Sequence, residues 1–158
     1  MRIGIDGRLL RYQRGGISTY IRGLLAGLAE VVSGEQIVVL TSRRGSPMAA
    51  APDEGFSPVI CMTPPHNRLE RWALAAEVSR ARLDLLHSPD FITPARVLDR
   101  SRRVITVHDL AFLRYPELLT GEGRRYYGQI LRAVKEVDAI IAVSNHTKTD
   151  LIELAGAD

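Results

Sequence analysis

One segment leaves this chain little choice of fold. Ile37-Val38-Val39-Leu40 is apolar at every position, between Gln36 and Thr41. A strand with one wet face alternates apolar and polar residues. An unbroken β-branched run instead asks for cover on both faces, as inside a parallel sheet. Short apolar runs recur at residues 2–5, 59–62, 83–86, 103–107 and 139–143. Helical patterns lie between several of them. Ile17, Tyr20, Ile21, Leu24, Leu25 and Leu28 follow i, i+3, i+4, i+7 spacing. Strand–helix alternation of this kind predicts an α/β, Rossmann-like, doubly wound parallel sheet of about six strands with helices on both faces.

The details of that pattern are read locally. The first helix is expected to stop near Gly34, a candidate C-cap. Residues 42–57 hold glycine, prolines and small residues and read as a mobile loop. Asn67 with Glu70 three residues later resembles a capping box opening a helix to about Arg82. Thr120 is expected to cap one helix with an apolar face of Tyr127, Ile130, Leu131, Val134 and Val137. Ser144 is expected to open a last helix ending near Gly156. The stretch 87–102 has no assignable element.

The chain has 158 residues, enough for one cored domain and too few for two. With 46% apolar and 25% charged residues it is an ordinary globular composition. Net charge is +3, and Lys135 and Lys148 are the only lysines, so the positive charge is arginine. Arginine suits phosphate, although biased composition explains the excess equally well. Cys61 is the only cysteine, which excludes an intrachain disulfide and fits a reducing cytoplasm. No apolar stretch approaches the ~20 residues of a membrane span, and an acid at position 6 argues against a secretory leader.

Ligands of open α/β sheets bind beyond the carboxyl ends of the strands, where strand order reverses. The unusual polar residues fall at those ends. Asp6, Gly7 and Arg8 follow the first run, with Gly15-Gly16 just before a helix. His87 follows the fourth, His108-Asp109 the fifth, and Ser144 the sixth. With the usual order 3-2-1-4-5-6, the loops of strands 1, 4 and 5 face one crevice. Gly15-Gly16 lets a backbone approach a phosphate at a helix start, or simply makes a turn. His108 suits a hydrogen bond to a sugar hydroxyl or proton transfer, with Asp109 accepting from a hydroxyl. The alternative is a capped strand end, with Asp109 on nearby N–H groups. His87 also reads as a buried histidine, Ser144 as an N-cap, and Arg8, Arg11 and Arg14 as solvated loop residues. Four scattered histidines and one cysteine make no metal set, and G-x-S-x-G is missing.

The same residues carry a family resemblance. Arg2-Ile3-Gly4-Ile5-Asp6-Gly7-Arg8, then Gly15-Gly16-Ile17-Ser18-Thr19-Tyr20, resemble the start of the large retaining GT-B glycosyltransferase family that includes many mannosyltransferases of surface polysaccharide synthesis. Leu86-His87-Ser88-Pro89, Val104-Ile105-Thr106-Val107-His108-Asp109-Leu110, and Asp138-Ala139-Ile140-Ile141-Ala142-Val143-Ser144 with Lys148, Asp150 and Leu151 are similar to its later motifs.

The resemblance implies that residues 1–158 are the N-terminal, acceptor-side domain. It places His108 and Asp109 at the reacting centre. Gly15, Gly16, Arg8, His87 and Ser144 would contact donor or acceptor. It implies a metal-independent site without a cofactor, a GDP- or UDP-hexose donor, and a glycan or lipid-linked acceptor. The donor would be held mainly by a C-terminal domain absent from this chain, so the fragment alone is expected to be inactive. A cytoplasmic location with peripheral contact at the inner membrane face would follow, with no nucleic-acid partner. Two other readings compete. A dinucleotide-binding oxidoreductase domain needs G-x-G-x-x-G directly after the first strand, and the glycines here come ~10 residues late. A basic docking module for a membrane or protein needs a strongly basic amphipathic face, which no helix shows.

Overall fold

Six strands form one parallel sheet in the order β3-β2-β1-β4-β5-β6. The computed structural model describes residues 1–12, 15–43, 56–66, 69–96 and 100–158. The strands are β1 (Arg2–Asp6), β2 (Gln36–Ser42), β3 (Phe56–Cys61), β4 (Leu85–Ser88), β5 (Arg102–Val107) and β6 (Ala139–Ala142). The helices are α1 (Gly16–Val31), α2 (Glu70–Ser79), α3 (Ala111–Arg114), α4 (Gly121–Tyr127), α5 (Ile130–Glu136) and α6 (Asn145–Ala155). Single turns of 3₁₀ helix occupy Arg8–Arg11 and Pro116–Leu118.

The unalternating run in β2 is explained by what covers it. Ile37 and Val39 pack with Ile21 and Leu25 of α1. Val38 and Leu40 pack with Leu74 and Val78 of α2. All four strand residues are fully buried, each worth about 1.5–3 kcal/mol of transfer free energy. A third cluster joins Ile105 and Val107 of β5 to Ile130 of α5 and Leu151 of α6. The sheet therefore has helices on both faces, as the strand pattern required.

Several local expectations change. Gly34 is not a C-cap: α1 closes at Val32, whose N–H donates to the Leu28 carbonyl. Gly34 instead takes a left-handed φ of 98° in the turn that leads to β2. The single helix expected from Thr120 to Val137 is two helices. It breaks at Gly128, where a Cβ would sit 2.9 Å from the Arg124 carbonyl oxygen, and Leu131 is exposed. Glu70 opens α2, and its carboxylate binds Arg8 and the His66 N–H. Asn67, Arg14 and residues 44–55 lie outside the described residues.

Two caps are as expected. Thr120 accepts from the Gly123 N–H. Ser144 accepts from the Thr147 N–H at 3.0 Å, and Gly156 ends α6 with φ 67°. Replacing Ser144 by alanine is expected to lower stability by about 1 kcal/mol, and by glycine only a few tenths. Chemical denaturation reads the difference. An unchanged midpoint in Ser144→Ala would mean that the hydroxyl is not capping α6.

Candidate functional site

The strand order reverses between β1 and β4, so the crevice lies above their carboxyl ends. β1 ends in Asp6-Gly7-Arg8. Gly7 sits so close to β2 that a Cβ would fall 2.8 Å from Val39 Cγ1. The chain then turns through the 3₁₀ segment and enters α1 at Gly15-Gly16.

Arg8 does not lie in a solvated loop. It is 2% exposed, and its guanidinium is held by both oxygens of Asp6, by Glu70 Oε1 at 2.6 Å and by the Thr63 carbonyl. Burial opposes its charge, but the two carboxylates more than offset that and keep it cationic. An arginine engaged this fully is a tie between β1 and α2, not a free phosphate ligand. Burial pushes the Glu70 carboxyl above its ordinary range.

His87 lies within β4 rather than after it. It is buried, with Nε2 2.8 Å from Thr106 Oγ1 on β5, and Thr106 Oγ1 also meets Tyr20 of α1. Burial lowers its pKa to about 4, so the ring is neutral. It lines none of the hollows described below and sits behind the crevice wall. Ser144 is likewise apart from the crevice. It borders a separate hollow between β6 and α6, with Lys148 and Leu151.

Three adjoining hollows make the crevice. The largest, about 400 Å³, has an aromatic wall of Phe91, Phe112, Tyr115, Tyr126 and Tyr127. Phe112 and Tyr127 are stacked at 4.6 Å. Its polar groups are His66, Asp90, His108 and Asp109. A second hollow of about 210 Å³ is bordered by Gly15, Gly16, Tyr12 and His66. A third, of about 20 Å³, runs beneath His66 and Tyr126 to Arg8 and Ser88.

His108 is half-buried at the end of β5. Its Nε2 is 3.0 Å from the Pro89 carbonyl oxygen. A carbonyl only accepts, so the neutral ring carries its proton on Nε2 and leaves Nδ1 as an acceptor. Tyr20 packs edge-on against the ring at 5.1 Å. Asp109 is exposed, and Oδ1 accepts from the Ala111 N–H at 3.1 Å. The strand-end cap is therefore present, while the carboxylate still borders the large hollow. At Gly15 and Gly16 the backbone needs no glycine: neither has a left-handed φ, and a Cβ at Gly16 meets nothing within 4 Å.

Two residues join the site that sequence reasoning passed over. Asp90 borders both the large and the small hollow, and burial pushes its carboxyl up. Its position just after His87-Ser88-Pro89 was the available signal. His66 borders all three hollows. Its φ of 64° is left-handed, a conformation that costs a non-glycine residue on the order of 1–3 kcal/mol. No pattern in the sequence marks it. Among the described residues no histidine, cysteine or acid cluster suits a metal ion. No helix among them is long and apolar enough to cross a membrane.

A doubly wound sheet with a crevice at its switch point defines a Rossmann-like ligand-binding domain. The glycines enter α1 well past the end of β1, which removes the dinucleotide fingerprint. The model of the Glycosyltransferase Family 4 domain matches residues 14–158, and the chain belongs to that family. No curated protein matches the chain significantly.

Proposed function

We propose that this domain is the acceptor-side half of a retaining, metal-independent glycosyltransferase. It moves a hexose, mannose in the first instance, from a GDP- or UDP-sugar to a glycan or lipid-linked acceptor. A second domain outside these 158 residues holds most of the donor and closes the crevice. The observation that carries the reading is His108 on the wall of a crevice at the switch point, in a family of glycosyltransferases. With Nε2 given to Pro89, Nδ1 is the atom that accepts a hydrogen bond from a hydroxyl of the transferred sugar. Gly15 and Gly16, where the protein's own backbone makes no demand for glycine, give the donor diphosphate or the acceptor a close approach to the start of α1. Arg8, His87 and Ser144 serve the site only through its framework. Leu118, 79% exposed at the crevice rim, and the exposed Arg124 and Arg125 suit peripheral contact with the cytoplasmic face of a membrane.

The test is sugar transfer by the complete polypeptide that carries this domain, from a panel of UDP- and GDP-hexoses. His108→Ala is expected to lower kcat at least about tenfold, 1.4 kcal/mol of transition-state stabilisation, in a protein that stays folded. The 158-residue chain alone is expected to transfer nothing. Full activity of the isolated chain, or of the His108 variant, overturns the proposal.

A further inference from the structure

An exposed histidine is ordinarily free to move, and ordering it costs rotamer entropy. His66 is exposed yet held from several sides. Its N–H donates to Glu70 Oε2 at 2.7 Å, and Glu70 is itself clamped by the buried Arg8. Its Nδ1 is 2.5 Å from the Tyr126 hydroxyl. The rings of Tyr12 and Tyr126 flank it at 6.2 and 5.3 Å. The backbone beneath it is left-handed, and Glu77 fixes the same loop through the N–H groups of Met62 and Thr63. The result is one imidazole at the junction of three hollows.

Burial pushes the Tyr126 phenol well above its ordinary range, so it keeps its proton and can donate to Nδ1. With the phenol donating to Nδ1, the ring's N–H is at Nε2, the nitrogen that Tyr126 does not engage. The crevice thus presents His66 Nε2, the ring nitrogen left open by Tyr126, and the acceptor Nδ1 of His108. The stacked aromatic pair Phe112–Tyr127 lines the same hollow. One further polar group is uncommitted: Ser88 is 1% exposed, its hydroxyl has no partner, and it lines the small cavity under His66.

We propose that His66 is a ligand-recognition residue that donates a hydrogen bond from Nε2 to a hydroxyl of a sugar-bearing acceptor. The ligand's apolar portion lies against the aromatic wall, and Tyr126 and Glu70 are the positioning residues that hold the imidazole. The identity of the ligand as an acceptor rests on the glycosyltransferase reading; the binding contact does not. Chemically, the site takes a glycoside with an apolar aglycone in preference to a free hexose.

The probes are phenyl α-D-mannopyranoside and phenyl β-D-glucopyranoside, with free mannose and glucose alongside. The observable is the set of four histidine ring resonances of the 158-residue chain, assigned with single variants. At millimolar probe, the His66 and His108 signals are expected to shift saturably, while that of His146, on α6, stays in place. His66→Asn keeps a residue that tolerates left-handed φ, so the unfolding midpoint should hold while the apparent Kd rises about tenfold. Tyr126→Phe keeps the ring and removes the hydroxyl, and is expected to fall between. A probe that shifts no histidine, or binds His66→Asn as well as wild type, overturns the proposal. In the complete polypeptide the same variant should raise the acceptor KM and leave the donor KM alone; an unchanged acceptor KM also overturns it. Binding through His66 in a protein that transfers no sugar overturns the glycosyltransferase reading and leaves this contact standing.

Discussion

Replacing Arg8 with alanine is expected to lower the unfolding free energy by about 3–5 kcal/mol, the usual consequence of stripping one partner from a buried ion cluster. Asp6 and Glu70 are 7% and 4% exposed, so neither carboxylate can turn to water when the guanidinium leaves. The Thr63 carbonyl also loses its donor. Each orphaned carboxyl can relieve itself by taking a proton, so the loss should be larger at pH 8 than at pH 5. Denaturant titrations of both proteins at the two pH values measure it. Equal midpoints at pH 8 would mean that water reaches the cluster in solution. Removing the whole cluster is a different experiment. Replacing Arg8, Asp6 and Glu70 together by apolar residues should be far milder than Arg8→Ala, because no charge is left buried. It should nevertheless release the His66 N–H from its acceptor. The cluster then matters less for net stability than for where it places the loop between β3 and α2.

The cluster also explains why the arginine was misread from the sequence. Arg8 stands two residues after a strand, beside Arg11 in a glycine-containing loop, which is where a solvated or phosphate-facing arginine belongs. Its partners are Asp6, two residues away, and Glu70, 62 residues away on another element. No periodicity links positions 8 and 70. By contrast, the sheet was legible because the demand for two-sided cover is written into four consecutive side chains, Ile37 to Leu40. The helix ends that depend on one nearby group, Thr120 and Ser144, were legible for the same local reason. The break at Gly128 was not. Gly128 keeps αR backbone angles and still donates to the Arg124 carbonyl, so the end of one helix and the start of the next leave no mark in the apolar period.

The site divides along the same line. His108 and Asp109 are found where a strand ends at a known edge of the sheet, and the topology that puts them at the crevice is the one assumed from the alternation of elements. His87 shares that pattern and yet belongs to the interior, since β4 runs through His87 to Ser88 and the ring meets Thr106 on the neighbouring strand. His66 is the converse. It stands in a loop with no hydrophobic period around it, and only the meeting of Glu70, Tyr126 and Tyr12 about its ring gives it a fixed place.

That interior placement of His87 gives the second large effect. Its ring is 6% exposed, and burial lowers its pKa to about 4, against about 6.5 when unfolded. Above pH 6.5 both states hold it neutral and it contributes no pH dependence. Between pH 6.5 and about 4 the unfolded chain binds a proton that the folded chain refuses. Stability is therefore lost as pH falls, by about 1.4 kcal/mol per unit and about 3 kcal/mol in all. Two carboxyls work in the opposite direction: Glu70 and Asp90 are pushed up by burial, so the folded state takes their protons first and acid favours it. The wild-type curve is the sum of these terms, and a variant is needed to isolate one. His87→Gln removes the titrating ring and keeps a side chain able to reach the Thr106 hydroxyl. Its stability relative to wild type is expected to rise by about 2 kcal/mol between pH 7 and pH 5, whatever its offset at pH 7. Parallel curves over that range would mean that His87 is protonated in the folded protein. The Thr106 hydroxyl, also bonded to Tyr20 against His108, would then be accepting from a cation, and the wall behind His108 would change its charge with pH.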